Sequence, residues 1–187
     1  ELVNATFERT DVRSPVWHRE LDVHVYDGRL QYQSFRYPIY NIRGRIVNRD
    51  EDWHLESFEG RNDSARILFT GHWQQVKQGL MPFHLQFDAH TVPLAEDLFL
   101  AVPQQVRNVW SHLQPTGTIG QIVATIGRKP GETEIDTQVT ITELSDAGSQ
   151  PGRSLRLYPH LFPYHLNDVN CQIVYRDGVL KIHRATA

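Results

Sequence analysis

The chain has 187 residues, of which 40% are hydrophobic and 22% charged, a composition typical of a soluble globular domain with a sizeable core. The formal net charge is -3 and the cationic residues are scattered singly, so there is no electrostatic basis for binding nucleic acid. The single cysteine, Cys171, excludes an internal disulfide framework and a zinc site built from several cysteines.

The first half of the chain predicts β-strands joined by polar turns. Asp27-Gly28 is a strong signal for a two-residue hairpin turn, and residues 48–52 form a polar connection. Between residues 65 and 73 apolar side chains alternate with other side chains, which places Ile67 and Phe69 on one face of a strand.

The clearest alternation lies between residues 81 and 89. Polar side chains such as His84 and Gln86 separate the apolar ones. In a strand the two sets point to opposite faces, so the pattern predicts an antiparallel sheet with one apolar and one solvated face. The apolar set consists of Met81, Phe83, Leu85, Phe87 and Ala89.

Residues 93–113 interrupt the strands with apolar residues at helical spacing. Pro93 suits the first turn of a helix, and Glu96 and Asp97 suit its N-terminal end. Pro103 is incompatible with an unbroken helix. We therefore expect a helical insertion of two short helices, separated by a break, on the apolar face of the sheet.

Strand signals resume after this insertion. Residues 133–141 predict a strand with Ile135, Val139 and Ile141 on its apolar side. Asp177-Gly178 is a second hairpin signal. The fold class expected from the whole pattern is mainly β, a curved antiparallel sheet of about ten strands that forms a groove, with one or two short helices packed on its apolar face.

Residues 155–187 repeat the pattern of residues 30–60. Each copy consists of an aromatic residue followed by proline, a strand, a turn and a second strand, and the aromatic-proline pairs are Tyr37-Pro38 and Phe162-Pro163. Over most of their length the copies align without a gap at a spacing of about 127 residues. Chance similarity between two β-hairpins is the alternative explanation.

Repeated supersecondary units stack on one another and bury a continuous face. We therefore expect residues 1–187 to form one β-rich domain that is a fragment of a longer repeat protein. Cys171 aligns with Gly44 of the first copy, which predicts a small, buried residue on a strand.

Candidate catalytic and metal-binding groups are weak. The ten histidines include no helical metal-binding pair, and His84 and His90 lie roughly 20 Å apart along one strand. His160, His165 and Asp168 form the best local group, but solvated loop residues are the better interpretation. The sequence predicts no metal, no cofactor and no catalytic residue.

Five short motifs occur in order along the chain. They are Tyr-Pro-Ile-x-x-Ile-x-Gly at 37–44, Phe-x-Gly-Arg-Asn at 58–62, Val-Pro-Leu-x-x-Asp-Leu at 92–98, Ala-Val-Pro at 101–103 and Leu-x-Pro-x-Gly at 113–117. In this order they resemble the AsmA-like/TamB-like family of large cell-envelope proteins, which belong to the bridge-like lipid transfer proteins. The resemblance covers most of the chain from about Asp22.

The resemblance implies arrays of short antiparallel strands that curl into an apolar groove, in proteins that move phospholipids between bacterial membranes or assist outer-membrane assembly. We therefore expect a non-catalytic segment in the periplasm or cell envelope, with membrane anchoring by parts outside this chain. The expected partners are phospholipid acyl chains, the remainder of the parent chain and other envelope proteins. The expected lipid-facing residues are Met81, Phe83, Leu85, Phe87, Ile67 and Phe69.

Three other interpretations stay open. The same apolar side chains also suit an ordinary core packed against the predicted helices. A β-sandwich binding or adhesion module, for glycan or protein, would need two packed sheets and an exposed Trp17, Trp53 or Trp73 on a flat face. A carboxylate-dependent hydrolase would need two carboxyl groups from residues 50–59 to face each other across a cleft.

Overall fold

A computed structural model describes residues 2–9, 17–33, 35–142, 155–161, 164–176 and 179–187. These residues form ten antiparallel strands and two helices: β1 (Leu2–Arg9), β2 (Trp17–Tyr32), β3 (Phe35–Arg49), β4 (Asp52–Asn62), β5 (Ala65–Gln74), β6 (Phe83–Pro93), α1 (Glu96–Ala101), α2 (Gln104–Leu113), β7 (Thr118–Arg128), β8 (Asp136–Thr142), β9 (Asn170–Arg176) and β10 (Val179–Thr186). Every strand pairs with its neighbours in sequence, so one open sheet results, with β1 and β10 at its edges. The expected mainly β fold with two short helices is confirmed.

The helical insertion lies where the sequence predicts it. Helix α1 ends at Ala101 and α2 begins at Gln104, because Pro103 occupies the N-cap position of α2 and cannot donate a backbone hydrogen bond to a preceding turn. The Phe99 and Trp110 rings meet edge to face at 5.7 Å, which joins the two helices. Within the described residues neither helix is long and apolar enough to span a bilayer.

Cross-strand register assembles an apolar face from β4 to β8. Residues directly opposite each other in antiparallel strands share a face. Three such rows are Phe58–Phe69–Phe87–Ala124–Val139, Gly60–Ile67–Ala89–Ile122–Ile141 and Leu55–Gly71–Leu85–Ile126, and the surface that they form is called the apolar face below.

Helix α1 covers one end of the apolar face, and the core lies there. Leu98 and Ala101 of α1 are buried in one cluster with Tyr37, Ile67 and Val92, all at most 7% exposed. Burial of such side chains contributes roughly 1.5–3 kcal/mol each relative to full exposure. The core is therefore formed by a helix on a sheet, as the sequence predicts.

A buried amide fixes α1 to the sheet. Asn62, 6% exposed, donates from Nδ2 to the Pro38 carbonyl at 2.8 Å and lies 3.4 Å from Asp97 Oδ2. Because a buried amide without partners costs about 1–3 kcal/mol, these bonds favour one position of α1 over the sheet.

The Asp27-Gly28 turn prediction is wrong. Strand β2 runs through both residues, and its register with β3 shifts between Val25 and Gly28. An extra residue of this kind is a β-bulge, which bends and twists the strand. The dipeptide therefore curves a long strand instead of ending it.

Two strand boundaries also differ from the predictions. Strand β6 begins at Phe83, so Met81 precedes it and is 41% exposed. Strand β8 begins at Asp136, because the pairing with β7 ends at the Gly127–Asp136 pair; Ile135 therefore lies outside the sheet and is 47% exposed.

The two copies of the internal repeat contain hairpins of equal register. Ile46 faces Leu55 and Asn48 faces Trp53 in β3–β4, and the aligned positions 173 and 182, and 175 and 180, face each other in β9–β10. Phe162-Pro163 and Asp177-Gly178 lie outside the described residues. The equal register supports the repeat, which stays a hypothesis.

Three glycines on the sheet lie beneath large side chains of neighbouring strands. A Cβ atom on Gly44 would lie 2.5 Å from the Phe58 ring, and one on Gly60 would lie 2.4 Å from Ile39. On Gly71 it would lie 2.4 Å from Leu85. Only glycine leaves room for this approach.

We predict that Gly44→Ala lowers the free energy of unfolding by about 1–3 kcal/mol, because the added methyl group displaces the Phe58 ring. Gly28→Ala is the matched control, since its nearest atom, Ile42 Cβ, would lie at 3.1 Å and has to move by only a few tenths of an ångström. Urea denaturation followed by tryptophan fluorescence measures both. Equal losses in the two variants would contradict the close-packing explanation.

Tyr37 places a hydroxyl group in the core beside two carboxylates. The side chain is 7% exposed and its hydroxyl has no hydrogen-bond partner among the described residues. Burial, followed by the negative charges of Asp97 and Asp63, raises the pKa of Tyr37 to about 12. The phenol therefore stays neutral in the folded chain at pH values where it ionises in the unfolded chain.

We predict that Tyr37→Phe raises the free energy of unfolding at pH 7 by about 1 kcal/mol, because it removes an unsatisfied buried hydroxyl. Since the raised pKa stabilises the fold below about pH 10 and that contribution is lost between pH 10 and 12, the variant should also lose less stability over this range. Urea titrations at pH 7, 10 and 11 measure both effects. Tyr32→Phe, at a 59% exposed tyrosine, should change neither quantity.

Candidate functional site

Four of the six predicted lipid-facing residues, Ile67, Phe69, Leu85 and Phe87, lie in the rows of the apolar face, and Phe83 continues that face by one position along β6. Ile67 and Phe69 are buried, 3% and 7% exposed, and belong to the core cluster. Phe83, Leu85 and Phe87 are half-buried and follow one another along β6. The alternative of an ordinary core therefore describes the β5 pair well, whereas the β6 residues stay accessible.

An aromatic row crosses the middle of the face. The Phe58 and Phe69 rings stack at 4.9 Å between centroids, and Phe69 and Phe87 stack at 5.6 Å. Cross-strand aromatic pairs of this kind stabilise a sheet by about 0.5–1.5 kcal/mol beyond area burial. The row separates the buried end under α1 from the half-buried end.

A second aromatic row lies at the end of the face farthest from α1. The Trp53 and Trp73 rings are 5.4 Å apart and nearly parallel, at 7°, and Phe83 is next in register. Guanidinium groups lie over the outer members of the row, Arg19 over Trp53 at 5.9 Å and Arg128 over Phe83 at 5.6 Å. An opening of about 450 Å³ lies at these strand ends.

The polar face carries a histidine row that sequence spacing does not reveal. His54, His72 and His84 occupy facing positions of β4, β5 and β6, with centroid distances of 6.2 and 5.7 Å. Their alignment depends on the register, which no local pattern specifies. Across the described part of the chain, no three His, Cys, Asp or Glu residues are arranged to hold a metal ion.

The predicted C-terminal group has structural contacts. The His165 ring meets Tyr158 edge to face at 4.6 Å, and the His160 backbone donates to the His112 carbonyl at 2.9 Å. Cys171 is 7% exposed on β9, so the prediction of a small buried residue there is confirmed.

Of the carboxylates proposed for a hydrolase, Asp50, Glu56 and Glu59 each lie within 4.0 Å of a basic side chain on the surface. Arg66 donates two hydrogen bonds to Glu59, at 3.0 and 2.9 Å, and this pairing lowers the pKa of Glu59. The pKa of Asp50 is also lowered, first by its hydrogen bond with His18 and then by the Arg19 backbone N–H. A glycosidase acid needs a raised pKa, so neither carboxyl group suits that role.

The β-sandwich alternative requires a second sheet that the described chain does not form, since all ten strands belong to one sheet. Trp17 is 56% exposed, but the Arg9 guanidinium lies 4.5 Å over its ring. Trp53 and Trp73 stack on each other, so the ring faces by which they meet are not free for a sugar ring. The described residues therefore do not form the sandwich architecture that this alternative needs.

Comparison with known proteins adds no further assignment. No family model, no curated protein and no solved structure matches the chain. The resemblance to AsmA-like/TamB-like proteins therefore depends on the five sequence motifs alone, and function has to be argued from the geometry of the sheet.

Proposed function

We propose that the apolar face binds the acyl chains of phospholipids, and that the chain is a non-catalytic segment of a cell-envelope protein that shelters lipid tails during transport or outer-membrane assembly. One observation carries the proposal. The apolar rows that form the core under α1 continue along the same strands to a half-buried end at Phe83 and Leu85.

The dimensions of this surface suit an acyl chain. From Phe83 to Ala89 the apolar positions of β6 extend over roughly 20 Å. One leaflet of a bilayer contributes about 15 Å, half of the hydrocarbon core of about 30 Å. A lipid tail needs an apolar surface with few polar groups, and the rows crossing β6 at Leu85 and Phe87 supply only apolar side chains from β4 to β7.

The two ends of the face differ in a way that favours entry from one side. Leu98 of α1 closes one end by packing into the core. At the other end lies an opening around the strand ends, lined by Trp53, Trp73 and Arg128 and also by the histidine row of the polar face. Amphipathic aromatic and cationic side chains are suited to the boundary between apolar tails and polar headgroups. We therefore infer that α1 caps the groove and that tails enter near Phe83.

The remainder of a parent chain would extend the same surface. Strands β1 and β10 form the edges of the sheet, and edge strands present backbone groups that can pair with further strands. Val3 faces Val23 and Phe7 faces Arg19 in β1–β2, and both β1 side chains are more than half exposed. Further strands at these edges would lengthen the groove.

We predict that a photo-crosslinking benzoylphenylalanine at position 83 or 87 captures phospholipid when the chain is produced in bacterial cells and irradiated. The same amino acid at position 86 is the control, because Gln86 lies on the same strand and points to the opposite face. Mass spectrometry of the purified adducts measures lipid captured per chain. We expect at least about fivefold more at 83 and 87 than at 86, the discrimination expected from about 1 kcal/mol of apolar contact.

Equal capture on both faces, or none at 83 and 87, would contradict lipid binding by this segment. Circular dichroism spectra of the three crosslinker variants should match that of the parent chain, which excludes unfolding as the reason for a loss.

A further inference from the structure

A second opening lies outside the apolar face, between the β2–β3 hairpin and the break between α1 and α2. Its volume is about 550 Å³. Its polar lining consists of Gln31, Gln33, Arg36, Asp97 and Arg107.

Neither arginine of this opening is neutralised by a carboxylate. Among the described residues, Arg36 and Arg107 have no ion pair within 4.0 Å. On the polar face, by contrast, Arg45 and Arg66 are bound to carboxylates at 2.8 and 2.9 Å. An unpaired guanidinium lining a concave site favours an anionic ligand.

The other polar groups of the opening restrict the ligand. Gln31 uses one N–H of its amide to bind the Arg36 carbonyl at 2.9 Å, which leaves its second N–H as a donor. The Asp97 carboxylate also lines the opening, with Oδ2 3.4 Å from Asn62 Nδ2. A ligand with several acceptor oxygens matches two guanidinium groups and a carboxamide.

We propose that this opening binds a phosphate group through Arg36 and Arg107. Guanidinium groups bind phosphate through paired N–H donors in a fixed planar geometry, which an ammonium group does not provide. The phosphate belongs either to a free phosphate ion or to the headgroup of a lipid, and in the second case the inference rests on the proposed function.

The test is a titration of the isotope-labelled chain with inorganic phosphate, followed by backbone amide chemical shifts at constant ionic strength. Sodium chloride serves as the salt control, because a screening effect would appear with both salts. A parallel titration uses dihexanoyl phosphatidylglycerol below its micelle concentration, with dihexanoylglycerol as the phosphate-free comparison. Shifts should concentrate near Arg36 and Arg107.

We predict that Arg107→Gln weakens binding of whichever compound causes the shifts, inorganic phosphate or dihexanoyl phosphatidylglycerol, by about tenfold or more. This is the effect of losing one charge-assisted contact. Arg107→Lys keeps the charge and should recover part of the affinity, which separates recognition from folding. Arg43→Gln is the control for net charge, since Arg43 lies on the same strand as Arg36 but outside the opening. It should change affinity less than about twofold.

Each outcome decides the proposal. Saturable shifts with inorganic phosphate assign the site to free phosphate. Shifts with the phosphatidylglycerol alone, lost in Arg107→Gln, assign it to a lipid headgroup. The proposal would be overturned if chloride caused the same shifts as phosphate, or if dihexanoylglycerol caused the same shifts as the phosphatidylglycerol. It would also be overturned if the Arg107→Gln variant responded to the phosphate compounds as the parent chain does. Lipid capture at positions 83 and 87 is independent of this result, so the two proposals fail separately.

Discussion

The close packing of glycines beneath large side chains is the constraint on which the sheet depends. Gly44 lies under Phe58, and Gly71 lies under Leu85. Because a missing side chain lets the neighbouring strand approach on that face, the sheet can bend toward the apolar face without leaving voids. The bulges in β2 and β3 add bending in the strands themselves. Curvature and a continuous apolar surface therefore have one origin.

Short-range sequence signals predict most of the strands and helices, but they do not predict the register in which the strands pair. Side-chain alternation identifies β5 and β6, and Pro103 locates the break between the helices, because each signal acts over a few residues. Asp27-Gly28 is a case in which such signals fail. The dipeptide suits a hairpin turn, but the pairing of β2 with β3 on both sides of it keeps it inside β2 as a bulge. Long-range pairing overrides local turn propensity there.

The candidate site likewise has one part that the sequence predicts and one part that depends on long-range contacts. Alternation predicts that Ile67, Phe69, Leu85 and Phe87 share a face, and their register confirms it. It does not predict that the β5 pair is core while the β6 residues stay half-buried, because that depends on where α1 lies. The position of α1 is fixed by the long-range contacts of Asn62, whose partners no local pattern indicates.

The two faces of the sheet differ in how fully their side chains find partners within the chain. On the polar face Arg45 bridges Asp22 and Glu56, so opposite charges neutralise one another within the sheet. Among the residues that the structure describes, the apolar face has no comparable closure, since α1 covers one end of it and the exposed Val3 extends the face to the β1 edge. A broad apolar surface at an open sheet edge is unfavourable in water and promotes association. Contact with lipid tails or with further strands removes that cost, which is why the proposed groove and a longer parent protein belong to one explanation.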